Sequence, residues 1–170
     1  MTPRFHDRRV LVTGAAAGLG RSFAEHFAAE GARLLLADID SKGLEETAAI
    51  LRDTGASCSL HPVDLGDEGD IQRFAAGVCA AHERVDVLVN NAGLAYGEIS
   101  QGFEQLSQKK WLHYFSVNTL GPLILAQALR VPLSAARGVV INISSMASYV
   151  PATAYGVTKA ALNAITYGMA

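Results

Sequence analysis

At 170 residues with half of them apolar, the chain is long enough to bury about 70% of the surface its unfolded form exposes, which fits one α/β domain over residues 1–170. Its net charge of −2, with no run of basic residues, excludes a nucleic-acid surface. Cys58 and Cys79 are too few for a disulfide scaffold, and the scattered His6, His26, His61, His82 and His113 lack metal-ligand spacing. No metal is therefore expected, and a reducing, cytoplasmic setting is. Residues 1–6 carry no apolar leader core, and Leu120 to Leu133 is interrupted by Gly121, Pro122, Arg130 and Pro132, so no membrane span is expected either.

Short apolar runs alternate with longer helical patterns, the signature of βαβ units around a parallel sheet covered on both faces. Strands are predicted at Arg9 to Thr13, Arg33 to Asp38, Ser57 to Pro62, Val85 to Asn90 and Gly138 to Ser144. Helices are predicted at Leu19 to Glu30, Ser41 to Thr54, Asp67 to Glu83, Gln105 to Leu129, and from about Thr153 to the end. Right-handed crossovers make this a doubly wound, Rossmann-like sheet in three αβα layers, whose ligand crevice lies at the carboxyl ends of the strands.

The first strand runs into Thr13-Gly14-Ala15-Ala16-Ala17-Gly18-Leu19-Gly20 and then a helix. Glycines there permit a tight turn and let backbone N–H groups approach a pyrophosphate favoured by the helix N-terminus. Asp38 ends the second strand, placed to accept hydrogen bonds from ribose hydroxyls and to repel a 2′-phosphate. With Ala17 before Gly18 and Ile39 after Asp38, no basic residue is offered to that phosphate, so NAD is favoured over NADP. Asp64-Leu65 ends the third strand; the pair either receives an adenine ring or Asp64 caps the turn before the next helix. After the fourth strand, Asn90-Asn91-Ala92-Gly93 supplies small residues and amides suited to backbone approach by a cofactor.

Tyr155-Gly-Val-Thr-Lys159 opens the last helix. Residues four apart share a helix face, so phenol and ammonium project into one space. A free tyrosine, with a pKa of about 10, is protonated at neutral pH, and a nearby cation favours its phenolate.

Together, Thr13-Gly14-x-x-x-Gly18-x-Gly20, Asp38, Asp64, Asn90-Asn91-Ala92-Gly93, Asn118, Ser144-Ser145 and Tyr155-x-x-x-Lys159 resemble the short-chain dehydrogenase/reductase family over essentially the whole chain. The resemblance implies that Tyr155 is the general acid/base. Lys159 would tune it and bond the nicotinamide ribose, Ser145 would polarise the substrate oxygen, and Asn118 would support a proton relay to the lysine. Ser145 is chosen over Ser144 as the second serine of the family's pair. Implied with these are a small alcohol or carbonyl substrate and assembly as a homodimer or homotetramer, with a nucleotide-binding module lacking turnover as the competing function and lyase or epimerase chemistry as a lesser one.

Two departures stand out. Ser145 and Tyr155 are ten positions apart, closer than the family generally has them, which shortens the connecting segment Met146 to Ala154. Also, the chain stops at Ala170 within the last helix, whereas relatives continue through further strands. The expectation is a C-terminally truncated piece whose fifth strand is an apolar sheet edge. Tyr96, Met146 and Tyr149 are too few to define a substrate.

Overall fold

In the computed structural model, which describes residues 3–95, 97–103 and 106–170, five strands form one parallel sheet. They are β1 (Arg9–Thr13), β2 (Arg33–Asp38), β3 (Cys58–Pro62), β4 (Val87–Asn90) and β5 (Val139–Asn142), in the order β3-β2-β1-β4-β5. Leu11 pairs with Leu35 on one side and Leu88 on the other, and Asn90 pairs with Asn142. Every observed strand is parallel to its neighbours, so each connection is a helical crossover, as the alternating pattern predicts.

Side chains alternate across a strand, and here both faces are buried. Leu11, Leu35 and Leu88 face a core shared with Ile71, Ala75 and Val78 of α3 (Glu68–Ala81) and with Leu125 of α5 (Gly121–Ala128). Val10, Val12, Leu34, Leu36, Val87 and Val89 face the opposite core, shared with Ala24 of α1 (Gly18–Ala29) and with Leu44 and Leu51 of α2 (Ser41–Asp53). These opposed cores make the fold a three-layer, doubly wound α/β structure. Truncating any of these leucines to alanine costs about 2–5 kcal/mol through the cavity it leaves.

Asp86 ties β1 to the start of β4. It is 7% exposed, and its carboxylate accepts from Arg8 (2.7 Å), Arg84 and the Arg9 N–H (3.0 Å). Burial works against its ionisation, but the two guanidiniums and the backbone donor outweigh it and hold the carboxyl below its usual range.

The expected helix from Gln105 to Leu129 is present as an unbroken run from Gln108 to Ala128, with a change of pitch inside it. Gln105 lies outside the described residues; α4 (Gln108–Phe115) passes into a π-helical stretch, Ser116–Leu120, before α5. Pro122 has no N–H to return to the carbonyl four residues earlier, that of Asn118, which relaxes the ladder at this point. A further helix, α6 (Arg130–Ala136), follows at a 65° bend and was not foreseen; it ends at Arg137, whose φ of 51° is left-handed. The fifth strand is shorter than expected, so Ser144 and Ser145 lie beyond it. Among the described residues no single helix is long and apolar enough to cross a membrane. Val139 and Ile141, on the outer strand β5, are 56% and 39% exposed.

Candidate functional site

Strand order reverses between β1 and β4, and a cleft of about 650 Å³ opens there at the carboxyl ends of the strands. Its floor is the turn after β1. Gly14 (φ 68°) and Gly18 (φ 54°) both adopt the left-handed conformation that favours glycine. A Cβ on Gly14 would stand 2.7 Å from Asn91 Nδ2, and one on Gly20 only 1.9 Å from the Gly14 carbonyl oxygen, so these two glycines let the turn fold onto itself. Gly18, by contrast, has nothing within 4 Å of its Cβ position. The N-cap of α1 is Ala17, which offers no side-chain cap, and no acidic residue occupies the first turn. The first N–H groups of α1 are left for an anion in the cleft.

Three predicted residues stand behind the cleft wall. Thr13 is buried: its hydroxyl accepts from the N–H groups of Asn91 and Ala92 (3.0 Å each) and donates to the Val89 carbonyl, locking the two strand-end turns together. Gly20 serves the close packing just described. Asn90 is buried, its amide donating to Asn142 Oδ1 (2.8 Å) and the Pro122 carbonyl (3.4 Å). Gly14, Gly18, Leu19, Asp38, Asp64, Leu65, Ala92 and Gly93 do line the cleft.

The Asp38 carboxylate accepts from the Ala16 N–H and the Asp40 N–H, both at 3.0 Å. One bond to each oxygen leaves lone pairs free to take further donors. Asp64 Oδ1 caps its own turn by accepting from the Gly66 N–H (2.7 Å), so it both caps and lines the cleft. Opposite this turn stand Val117 and His113 of α4 and its π-helical continuation. His113 carried no sequence signal, because it is one of five scattered histidines. Its Cε1 is 3.7 Å from where a Cβ on Gly66 would sit, and among the described residues its ring makes no hydrogen bond.

At the other end of the cleft, α7 (Ala154–Met169) presents Tyr155 and Lys159, both on the wall. Lys159 Nζ lies 5.9 Å from the Tyr155 ring centroid and donates to the Ile143 carbonyl at 2.8 Å. The lysine is 3% exposed, and burial lowers its ammonium pKa to about 8. Asn118, fully buried in the π-helical stretch, clamps Leu94 from both sides: its Oδ1 accepts from the Leu94 N–H (2.7 Å) and its Nδ2 donates to the Leu94 carbonyl (3.0 Å) and to Thr158 Oγ1. It touches backbone rather than lining the cleft, though its Oδ1 is 3.2 Å from the Cβ position of Gly93, where Lys159 Nζ stands at 3.4 Å.

The serine pair divides. Ser144 borders the cleft, but its Oγ is buried and has no partner among the described residues. Ser145, which is not among the residues lining the cleft, is half-buried and heads a 3-10 turn, Met146–Ser148, its Oγ accepting from the Ala147 N–H at 3.2 Å. Met146 and Tyr149 in this segment are 83% and 79% exposed; Tyr96 lies outside the described residues. No group of three or more His, Cys, Asp or Glu able to hold a metal ion occurs among the described residues.

The family described as short chain dehydrogenase matches residues 8–170. The chain belongs to that family. The chain is 33% identical to the D-threitol dehydrogenase of Mycolicibacterium smegmatis over 148 residues, 86% of this chain and 56% of that protein. A metagenomic short-chain oxidoreductase solved in complex with NADP superposes with a TM-score of 0.90 at 34% identity, covering 98% of this chain and 76% of that one. A short chain dehydrogenase/reductase from Burkholderia phymatum, solved in complex with NAD, gives 0.86 at 28% identity over 97% of this chain and 59% of its own. The chain thus spans little more than half the length of the D-threitol enzyme.

Proposed function

We propose that the chain forms a single nicotinamide-binding domain of an oxidoreductase that interconverts a secondary alcohol and its carbonyl compound. The observation that carries this reading is one cleft with a glycine turn and uncapped helix N-terminus at one end and the Tyr155–Lys159 pair at the other. The residues fit a dinucleotide: Gly14 lets the turn fold tightly, Gly18 leaves the floor of the cleft open to its pyrophosphate, and Asp38 faces the position of a ribose. Bound there, the nicotinamide supplies the carbon that takes or gives hydride.

Tyr155 acts as general base toward the alcohol proton in oxidation and as general acid in reduction. Lys159 places a cation beside the phenol and bonds the nicotinamide ribose as the Ile143 carbonyl holds its ammonium in place. Ser145 donates to the substrate oxygen. Its Oγ accepts from Ala147, leaving its proton undirected, whereas the Ser144 hydroxyl is inaccessible. Asn118, by fixing the Leu94 backbone, keeps the relay end of the cleft in register.

Asp38 makes NAD the preferred cofactor over NADP, because an acceptor-only carboxylate welcomes ribose hydroxyls and repels a phosphate. The relatives bound to NADP and to NAD support a nicotinamide cofactor of either kind, so this preference rests on Asp38 alone. Exposed Leu112, Leu120 and Val131 along the α4–α6 region support assembly as a homodimer or homotetramer, and the paucity of cysteines supports a cytoplasmic setting.

Following NADH absorbance with secondary alcohols, for wild type and Tyr155→Phe, tests the reading: turnover should fall by about 10²–10⁴-fold in the variant while NADH binding stays. A wild type that binds NADH yet never turns over would establish the rival reading, a binding module. The matched length, 56% of the D-threitol enzyme, is what keeps that rival open.

A further inference from the structure

We infer that Ser148 and Asn163 are positioning residues that hold Ser145 in place across the short segment before Tyr155. The inference rests on the reading of Ser145 as the substrate's hydrogen-bond donor. Ser145 lies outside regular structure beyond β5, so nothing in the sheet fixes it. Three bonds do. Its carbonyl accepts from the Ser148 N–H (3.0 Å) and from the Ser148 hydroxyl (2.6 Å), and the Ser148 oxygen in turn accepts from Asn163 Nδ2 (3.0 Å). Ser148 is 9% exposed, so these bonds form with little competition from water.

Asn163 belongs to α7, four residues after Lys159 and eight after Tyr155, so base, cation and anchor lie along one stripe of one helix. The same helix grips the segment again at its first turn, where a Cβ on Gly156 would stand 2.6 Å from the Ala147 carbonyl oxygen and 2.9 Å from Pro151 Cα. A segment this short and twice anchored carries Ser145 as a rigid extension of α7. Serine and tyrosine then keep one geometry toward a substrate oxygen without help from the sheet. Because a side-chain amide can only donate to Ser148 through its NH₂, an aspartate at 163 would reverse that bond and draw the Ser148 proton away from Ser145.

The test measures kcat, KM and NADH affinity with cyclohexanol and 1-phenylethanol for Ser148→Ala, Asn163→Ala and the isosteric Asn163→Asp, each alone and in a Ser145→Ala background. Each single variant should lower kcat by about 10- to 100-fold, the scale of a misplaced catalytic contact, with NADH affinity unchanged. In the Ser145→Ala background the same changes should cost nothing more, which a merely structural role would not produce. Wild-type kcat in Asn163→Asp and Ser148→Ala, or losses that multiply with Ser145→Ala, would overturn the inference. If Ser145→Ala itself retains wild-type kcat, or wild type binds NADH and turns over neither alcohol, the functional reading fails and the inference falls with it.

Discussion

Replacing Lys159 with methionine should remove activity and, in the cofactor-free protein at neutral pH, raise stability. Burial lowers the ammonium pKa from 10.5 to about 8, with desolvation as the cause. A lysine whose folded pKa lies below its unfolded value makes the unfolded state bind more protons between the two values, so stability rises with pH across roughly pH 8 to 10.5. Below pH 8 both states are charged and the full cost of burying the cation is present. A gap of about 2.5 pKa units corresponds to about 3 kcal/mol at pH 7, falling below about 1 kcal/mol at pH 10 as the folded lysine becomes neutral. Methionine, of similar length and with no charge, removes that cost but leaves the Ile143 carbonyl without its donor, a loss of about 1–3 kcal/mol. The offset does not vary with pH, so the clean readout is the difference between variant and wild type. In urea denaturation of the apo protein, the stability of Lys159→Met relative to wild type should shrink by about 2–3 kcal/mol from pH 7 to pH 10. A difference that stays flat over that range would refute the argument that desolvation alone sets this ammonium.

Asp38→Ala should shift preference toward NADP by about 100-fold in relative kcat/KM, since a carboxylate about 5 Å from a phosphate charge at an effective dielectric of 20 contributes about 3 kcal/mol of repulsion; kinetics with both cofactors decide it, and an unchanged ratio counts against the role of Asp38. Gly156→Val forces a Cβ to 2.6 Å from the Ala147 carbonyl oxygen and should destabilise the fold by about 1–3 kcal/mol, read as a lowered Tm. His113→Ala, at the Asp64–Leu65 end of the cleft, should weaken NADH binding about threefold to tenfold in a fluorescence titration with kcat unaffected, as loss of one aromatic contact implies. A change in kcat instead would place His113 nearer the chemistry than its position in the cleft allows.

The sheet was legible because its inner strands β1, β2 and β4 are buried on both faces and read as unbroken runs such as Arg33 to Asp38, flanked by glycine and polar strand ends. The long helix is legible too, from Gln108 to Ala128, but its internal change of pitch is not. Apolar periodicity carries through Trp111 to Leu129, and the sequence pattern does not reveal that Pro122 relaxes the ladder into a π-helical stretch around Asn118. Nor does periodicity separate α6 from what precedes it, since the bend depends on how Leu129 and Leu133 enter the core under β4 and α3. At the site, glycine spacing identified the cleft floor, but spacing has no means of telling a residue that lines a cleft from one that builds its wall. Thr13, Gly20 and Asn90 are of the second kind, and His113 of the first.

Local chemistry thus settled the parallel sheet, the glycine-rich turn, the acidic strand end and the Tyr155–Lys159 pairing, because each depends on neighbours within a few residues or on a helical repeat. That the Ser144 hydroxyl is buried, how far burial lowers the Lys159 ammonium, and what anchors Ser145 were decided only by tertiary packing. Those properties come from groups distant in sequence, the Ile143 carbonyl beside Lys159 and Asn163 beside Ser148 among them, brought within hydrogen-bonding distance by the fold.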